Sequence, residues 1–88
     1  MLELNKIYNA DCLELMNKIS DKSVDLILCD LPYGEGQTRF AWDCCLAFSD
    51  LWTQYERIIK DDGIIALFSA EPFTAKLICS NIELYRYL

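Results

Sequence analysis

Val24-Asp25-Leu26-Ile27-Leu28-Cys29-Asp30-Leu31-Pro32-Tyr33-Gly34 decides the architecture. Its first part is short and almost wholly apolar, with a single early charge. An acid, a proline and a glycine then end it abruptly. A run of this length, rich in branched residues and bounded by breakers, predicts a strand buried on both faces, as in parallel sheets. Parallel strands need long crossover connections, so helices are expected on either side in sequence.

Upstream, Lys6-Ile7-Tyr8 is a short apolar opening, read as a first strand. Asp11-Cys12-Leu13-Glu14 has the capping-box form, and Leu15, Met16 and Ile19 continue at helical spacing. Asp21-Lys22-Ser23 breaks that helix. Downstream, Phe48, Leu51, Trp52, Tyr55, Ile58 and Ile59 recur at three- and four-residue steps, an amphipathic helix. Asp61-Asp62-Gly63 is expected to stop it with a turn. Ile64-Ile65-Ala66-Leu67-Phe68 reads as another buried strand. Pro72 suits the first turn of a helix carrying Phe73, Leu77 and Ile78 and ending at Asn81. Leu84-Tyr85-Arg86-Tyr87-Leu88 alternates like a last strand. The expected order is β-α-β-α-β-α-β, an α/β chain with a mostly parallel sheet in a single domain over 1–88.

Composition narrows the function classes. Eighty-eight residues at 53% hydrophobic and 25% charged, with mean hydropathy +0.12, describe one small globular domain and not a disordered acidic tail. No apolar run approaches a membrane span and no signal peptide opens the chain, so a cytoplasmic location away from membranes is expected. A net charge of −6 repels a phosphate backbone. Cys12, Cys29, Cys44, Cys45 and Cys79 form no Cys-x-x-Cys pair, and the chain has no histidine. No disulfide framework or zinc site is expected; reduced thiols acting as small buried hydrophobes are.

In open α/β sheets, ligands bind outside the carboxyl ends of the strands. Asn9-Ala10-Asp11 and Asp30-Leu31-Pro32-Tyr33 follow two such ends. An acid, a rigid turn and an aromatic ring in succession suit an exocyclic amine on a flat heterocycle. The Asp30 carboxylate would accept one amine hydrogen and the Leu31 carbonyl the other, stabilising positive charge as it develops on nitrogen. Tyr33 would stack on the ring. A plain strand exit shaped by Pro32 and Gly34 explains the same four residues.

The stretches Tyr8 to Glu14 and Ser23 to Gly34 resemble the amino-terminal part of the DNA amino-methyltransferases, and are nearest to the phage and restriction-system members. The resemblance continues through Trp42-Asp43, Trp52, Arg57 to Lys60, Gly63 to Phe68, Glu71-Pro72-Phe73 and Ser80-Asn81-Ile82. It implies a partial Rossmann-like fold and methyl transfer from S-adenosylmethionine to the exocyclic amine of adenine or cytosine in DNA. The family signature is Asp/Asn-Pro-Pro-Tyr/Phe. Asp30, Pro32 and Tyr33 match it, while Leu31 stands in place of the first proline and leaves φ less fixed. By the same match Asp11 would face the adenosine end of the cofactor, a role it can combine with capping. Arg39, Trp42 and Asp43 would belong to a loop closing over the flipped base or the DNA, where a solvated loop with one buried tryptophan is the simpler reading. Ser69 and Glu71 would help wall the pocket, with Phe73 in the core.

Two family features are not found in the sequence: an aromatic-x-Gly-x-Gly cofactor loop and a target-recognition region. The glycines are Gly34, Gly36 and Gly63 only. The chain is therefore expected to be the front part of such an enzyme (a remnant, a split subunit or a fragment), doubtful as a cofactor binder alone, and either inactive alone or completed by a complementary chain. A non-enzymatic protein-interaction module retaining the fold is the alternative. Self-association through the carboxyl-terminal strand is expected as well, because an exposed edge strand templates pairing.

Overall fold

The computed structural model describes residues 2–31 and 48–86. Helix α1 spans Cys12–Met16, strand β1 Val24–Asp30, helix α2 Phe48–Ile58, strand β2 Ile59–Phe68 and helix α3 Phe73–Ser80. Strands β1 and β2 pair in parallel, joined through α2, as the sequence pattern requires.

Each helix has a local cause. Asp11 caps α1, its Oδ1 accepting from the backbone N–H of Leu13 at 2.9 Å and of Glu14 at 3.4 Å. In α2, Leu51, Tyr55 and Ile58 form the buried stripe, while Asp50 in the first turn and Arg57 in the last complement the helix dipole. Pro72 stands at the start of α3, which buries Phe73, Thr74 and Leu77, and Asn81 caps its end.

The core lies between these helices and one face of the sheet. Met16, Leu31, Leu51, Tyr55, Ile58, Phe73 and Leu77 are buried, with Ile27, Cys29, Ile65 and Leu67 packed against them from the strands. Leu51 and Phe73 are the largest fully buried side chains. Phe48 stacks at a tilt on Phe73, centroids 5.8 Å apart, and Trp52 meets Tyr55 edge-on at 5.9 Å. Trp52 Nε1 donates to Ser80 Oγ at 2.8 Å, and Ser80 Oγ donates to the Leu77 carbonyl at 2.6 Å, tying α2 to α3.

Arg57 ties α2 to the segment between α1 and β1. Its guanidinium donates to the carbonyls of Met16 (2.7 Å) and Ile19 (2.8 Å), to Asp21 Oδ1 (2.7 Å) and to Gln54 Oε1 (2.8 Å). The N–H groups of Lys22 and Ser23 donate to the carbonyls of Arg57 and Ile58, both at 2.9 Å, which starts β1 beside the end of α2.

Three sequence expectations change. Asp61-Asp62-Gly63 does not form a turn between helix and strand. It lies inside β2 as a bulge, because Val24 pairs with Ile59 while Leu26 pairs with Ile64. Gly63 is required there: a Cβ would stand 2.6 Å from Ile59 Cγ1 and 3.1 Å from the Asp25 carbonyl oxygen. Lys22–Asp61 (2.7 Å) and Lys60–Asp25 (2.8 Å) ion pairs flank the bulge.

The expected strands at 6–8 and 84–88 are also absent among the described residues. Residues 6–8 are irregular, Leu84 ends the turn after α3, and Tyr85 and Arg86 follow it without regular structure. An alternating segment becomes a strand only where a neighbour receives its backbone hydrogen bonds. Among the described residues, neither segment has one.

Lastly, the strands are not buried on both faces. Leu26 is 55% exposed, Leu28 64%, Ile64 64% and Phe68 58%, so the sheet's outer face is apolar and open.

Candidate functional site

Strand alternation places the site residues. Inward positions Ile27 and Cys29 pair with Ile65 and Leu67, so Leu26, Leu28 and Asp30 point outward with Ile64, Ala66 and Phe68. Asp30 is thus an exposed carboxylate at the carboxyl end of β1, on the open face, opposite Phe68 on β2. That is the sheet end where α/β proteins hold ligands.

Leu31 turns the other way. It is 5% exposed and joins the core. The fixed φ that a proline would give the strand exit is replaced by packing, which pins the residue after Asp30. Pro32, Tyr33, Arg39, Trp42 and Asp43, with Cys44 and Cys45, lie outside the described residues.

Asp11 sits at the amino end of α1, held by its two capping bonds. A three-residue cluster links the neighbours of the two candidate carboxylates. Tyr55 from α2 lies close enough to Cys29 and Cys12 to feel both thiols, and Cys12 feels Cys29. The amino end of α1 and the carboxyl end of β1 are therefore adjacent. Burial, followed by the nearby Cys29 thiol, pushes the Tyr55 hydroxyl far above its ordinary value. Burial and the Asp11 carboxylate push the Cys12 thiol up from 9.0. A thiol held protonated is a poor nucleophile, which argues against a reactive role for Cys12. The expectation of buried thiols is corrected in part, since Cys12 and Cys79 are exposed and Cys29 is half-buried.

The remaining wall candidates divide. Phe73 is core, 1% exposed. Ser69 Oγ accepts from Thr74 Oγ1 at 2.9 Å and so anchors the start of α3, whereas Glu71 is exposed. A cleft of about 820 Å³ runs along the free side of β2 past Trp52, Gly63, Leu77 and Tyr85, and includes neither Asp11 nor Asp30.

Phe68, the cross-strand partner of Asp30, was not among the sequence candidates, because its apolar run reads as buried. Its position was legible once β1 and β2 are paired, since each ends its strand at the same sheet edge. Tyr55 had no signal beyond helical spacing. Among the described residues, no helix is long and apolar enough to cross a membrane.

Sequence comparison supplies relatives. The chain is 31% identical to the type II methyltransferase M1.MboII of Moraxella bovis over 90 residues, covering 93% of this chain and 33% of that protein. It is 48% identical to the type II methyltransferase M.BamHI of Bacillus amyloliquefaciens over 83 residues, covering 85% of this chain and 20% of that protein. The chain thus spans a third or less of the length of these relatives. No family model matches it, and no solved structure matches it significantly. Along nearly its whole length, the chain is related in sequence to a part of the type II DNA methyltransferases.

Proposed function

We propose that residues 1–88 are the catalytic-signature part of a DNA amino-methyltransferase, a single partial domain of Rossmann-like fold. The observation that supports this most is the exposed Asp30 carboxylate at the carboxyl end of a parallel strand, in a chain similar to type II methyltransferases. Asp30 accepts one hydrogen of the exocyclic amine of adenine or cytosine and the Leu31 carbonyl the other. Both acceptors grow stronger partners as positive charge builds on nitrogen. Pro32 fixes the turn, and Tyr33 stacks on the flipped base and offsets the cost of extruding it. Arg39, Trp42 and Asp43 belong to the loop that closes over the base or the DNA.

The methyl group is supplied by S-adenosylmethionine as an electrophilic sulfonium methyl. The residues present fit its adenosine end in part. Asp11 uses Oδ1 for capping, and its Oδ2 accepts no hydrogen bond from the described residues, which leaves it free for a ribose hydroxyl. A glycine-rich loop for the methionine end is not among these 88 residues, so that hold falls to polypeptide outside them. Binding of DNA needs the same help, since a net charge of −6 opposes it.

Incubation with labelled cofactor and duplex DNA tests the proposal. The chain alone gives background incorporation, because catalysis by positioning fails when either substrate is unheld. Clear incorporation by the pure chain would overturn the division of labour. A protein-interaction module that keeps the fold is the second reading, favoured by the open apolar sheet face. Self-association, a complementary chain or further residues of the same enzyme would each cover that face.

A further inference from the structure

Strand β1 contains no buried residue, yet the residue just past its end is one. Ile27 and Cys29 point inward and are half-buried, whereas Leu31 is 5% exposed. Among the described residues, Leu31 is the one buried apolar residue outside the helices. It shares one cluster with residues of all three helices, among them Met16, Leu51 and Phe73. The strand exit is thus tied into the core more deeply than the strand itself.

Two torsions decide where the Leu31 carbonyl points. Pro32 follows in the sequence, and a residue before proline is confined to extended ψ. No ring fixes φ, as a proline would at this position. Nor does the strand ladder reach it, because Asp30 and Phe68 are the last pair. Burial supplies the missing restraint. Rotation about N–Cα would swing the isobutyl group out of the core together with the carbonyl, and exposing apolar surface opposes it.

We propose that the Leu31 side chain is a positioning group for methyl transfer. Anchored in the core, it aims its own carbonyl at the reacting amine and keeps Asp30 on the opposite face of the strand. The role in transfer rests on the reading of Asp30 and the Leu31 carbonyl as amine acceptors. The anchor itself does not depend on that reading.

Helix packing therefore reaches the chemistry through one side chain. A reacting group misplaced by ~1 Å can lose ~100-fold in rate. The loss falls on the transition state, because these acceptors strengthen only as charge builds on nitrogen. Binding of cofactor and DNA in the ground state is spared. A leucine that served stability alone would instead slow transfer only as far as it loosened the fold.

The test begins on the chain itself, with NMR relaxation of the amide at position 31. In the parent it should be as ordered as the Ile27 amide in β1, with an order parameter of ~0.85. Leu31→Ala should drop it below ~0.6 and leave Ile27 unchanged. Leu31→Val, one carbon smaller, takes its place throughout if Leu31→Ala does not fold. Methyl transfer is then compared in the completed enzyme, each variant well below its melting temperature. Leu31→Ala should slow transfer at least tenfold, with cofactor KM and DNA affinity within threefold of the parent. Leu31→Pro also removes the isobutyl group but fixes φ, so its rate should stay within threefold of the parent. Leu77→Ala, which opens the same core from α3, should do likewise. An order parameter unchanged by Leu31→Ala overturns the anchor. Leu31→Pro or Leu77→Ala as slow as Leu31→Ala overturns the positioning role, since the rate then follows stability alone. A completed parent enzyme that transfers no methyl group refutes the methyltransferase reading and the role in transfer with it, while the relaxation result still decides the anchor.

Discussion

Replacing Arg57 by alanine removes the group that holds α2 to the segment before β1. Two of its bonds, to the carbonyls of Met16 and Ile19, are short and charge-assisted, at 2.7 and 2.8 Å. Such bonds contribute roughly 1.5–3 kcal/mol each. Three facts lower the sum. The Met16 carbonyl keeps the Ile19 N–H at 3.0 Å, the Arg57 side chain is 28% exposed so water replaces part of the loss, and Asp21 is 76% exposed. An exposed pair adds only ~0–1 kcal/mol. The net expected loss is about 3 kcal/mol, a large share of the ~5–15 kcal/mol that holds a domain together. For a chain of this size that corresponds to a fall of roughly 15 °C in melting temperature. Thermal and urea unfolding followed by circular dichroism would measure it. Arg57→Lys should fall between, since an ammonium keeps the charge but cannot span both carbonyls. A loss under ~0.5 kcal/mol for Arg57→Ala, the range of an ordinary surface change, would refute the role given to this side chain.

Further outcomes follow from the same geometry. Gly63→Ala should cost about 1–3 kcal/mol in urea unfolding, because Ile59 can shift but the Asp25 carbonyl cannot; an unchanged midpoint would mean the bulge has room. Asp11→Asn should keep the cap of α1 and the melting temperature while weakening cofactor binding in a completed enzyme, whereas Asp11→Ala should also lose ~1 kcal/mol of stability. Equal cofactor affinity for Asp11→Asn and the parent, read by calorimetry, would leave Asp11 with capping alone.

Local rules were legible where one element decides the outcome. The apolar run before Asp30, the three- and four-residue steps through Leu51, Tyr55 and Ile58, and the acid before Cys12 each specify their own structure, and all three form. Crossover length then made β1 and β2 parallel. What failed depended on neighbours. Lys6 to Tyr8 and Leu84 to Leu88 have strand patterns, but the described part of neither pairs with another strand. Asp61-Asp62-Gly63 carries a turn signal, and a bulge in a strand uses the same residues for the same reason, a glycine at a close approach. An unbroken apolar run such as Ile64 to Phe68 cannot reveal that one of its faces is open, since periodicity reports only what the run could bury. Of the candidate site, the sequence placed Asp11 and Asp30 at element ends, while Phe68 opposite Asp30 was hidden in a run that reads as core.

The central proposal is that Asp30 acts on the transition state of methyl transfer in a completed DNA methyltransferase. Its most direct test is single-turnover methyl transfer by the completed enzyme, with DNA affinity measured in parallel. Asp30→Ala should lower the transfer rate a hundredfold or more, about 2.7 kcal/mol, and change DNA affinity less than threefold, because the contact strengthens only as charge builds on the amine. Transfer by Asp30→Ala at the parent rate, or equal losses in rate and DNA affinity, would contradict it.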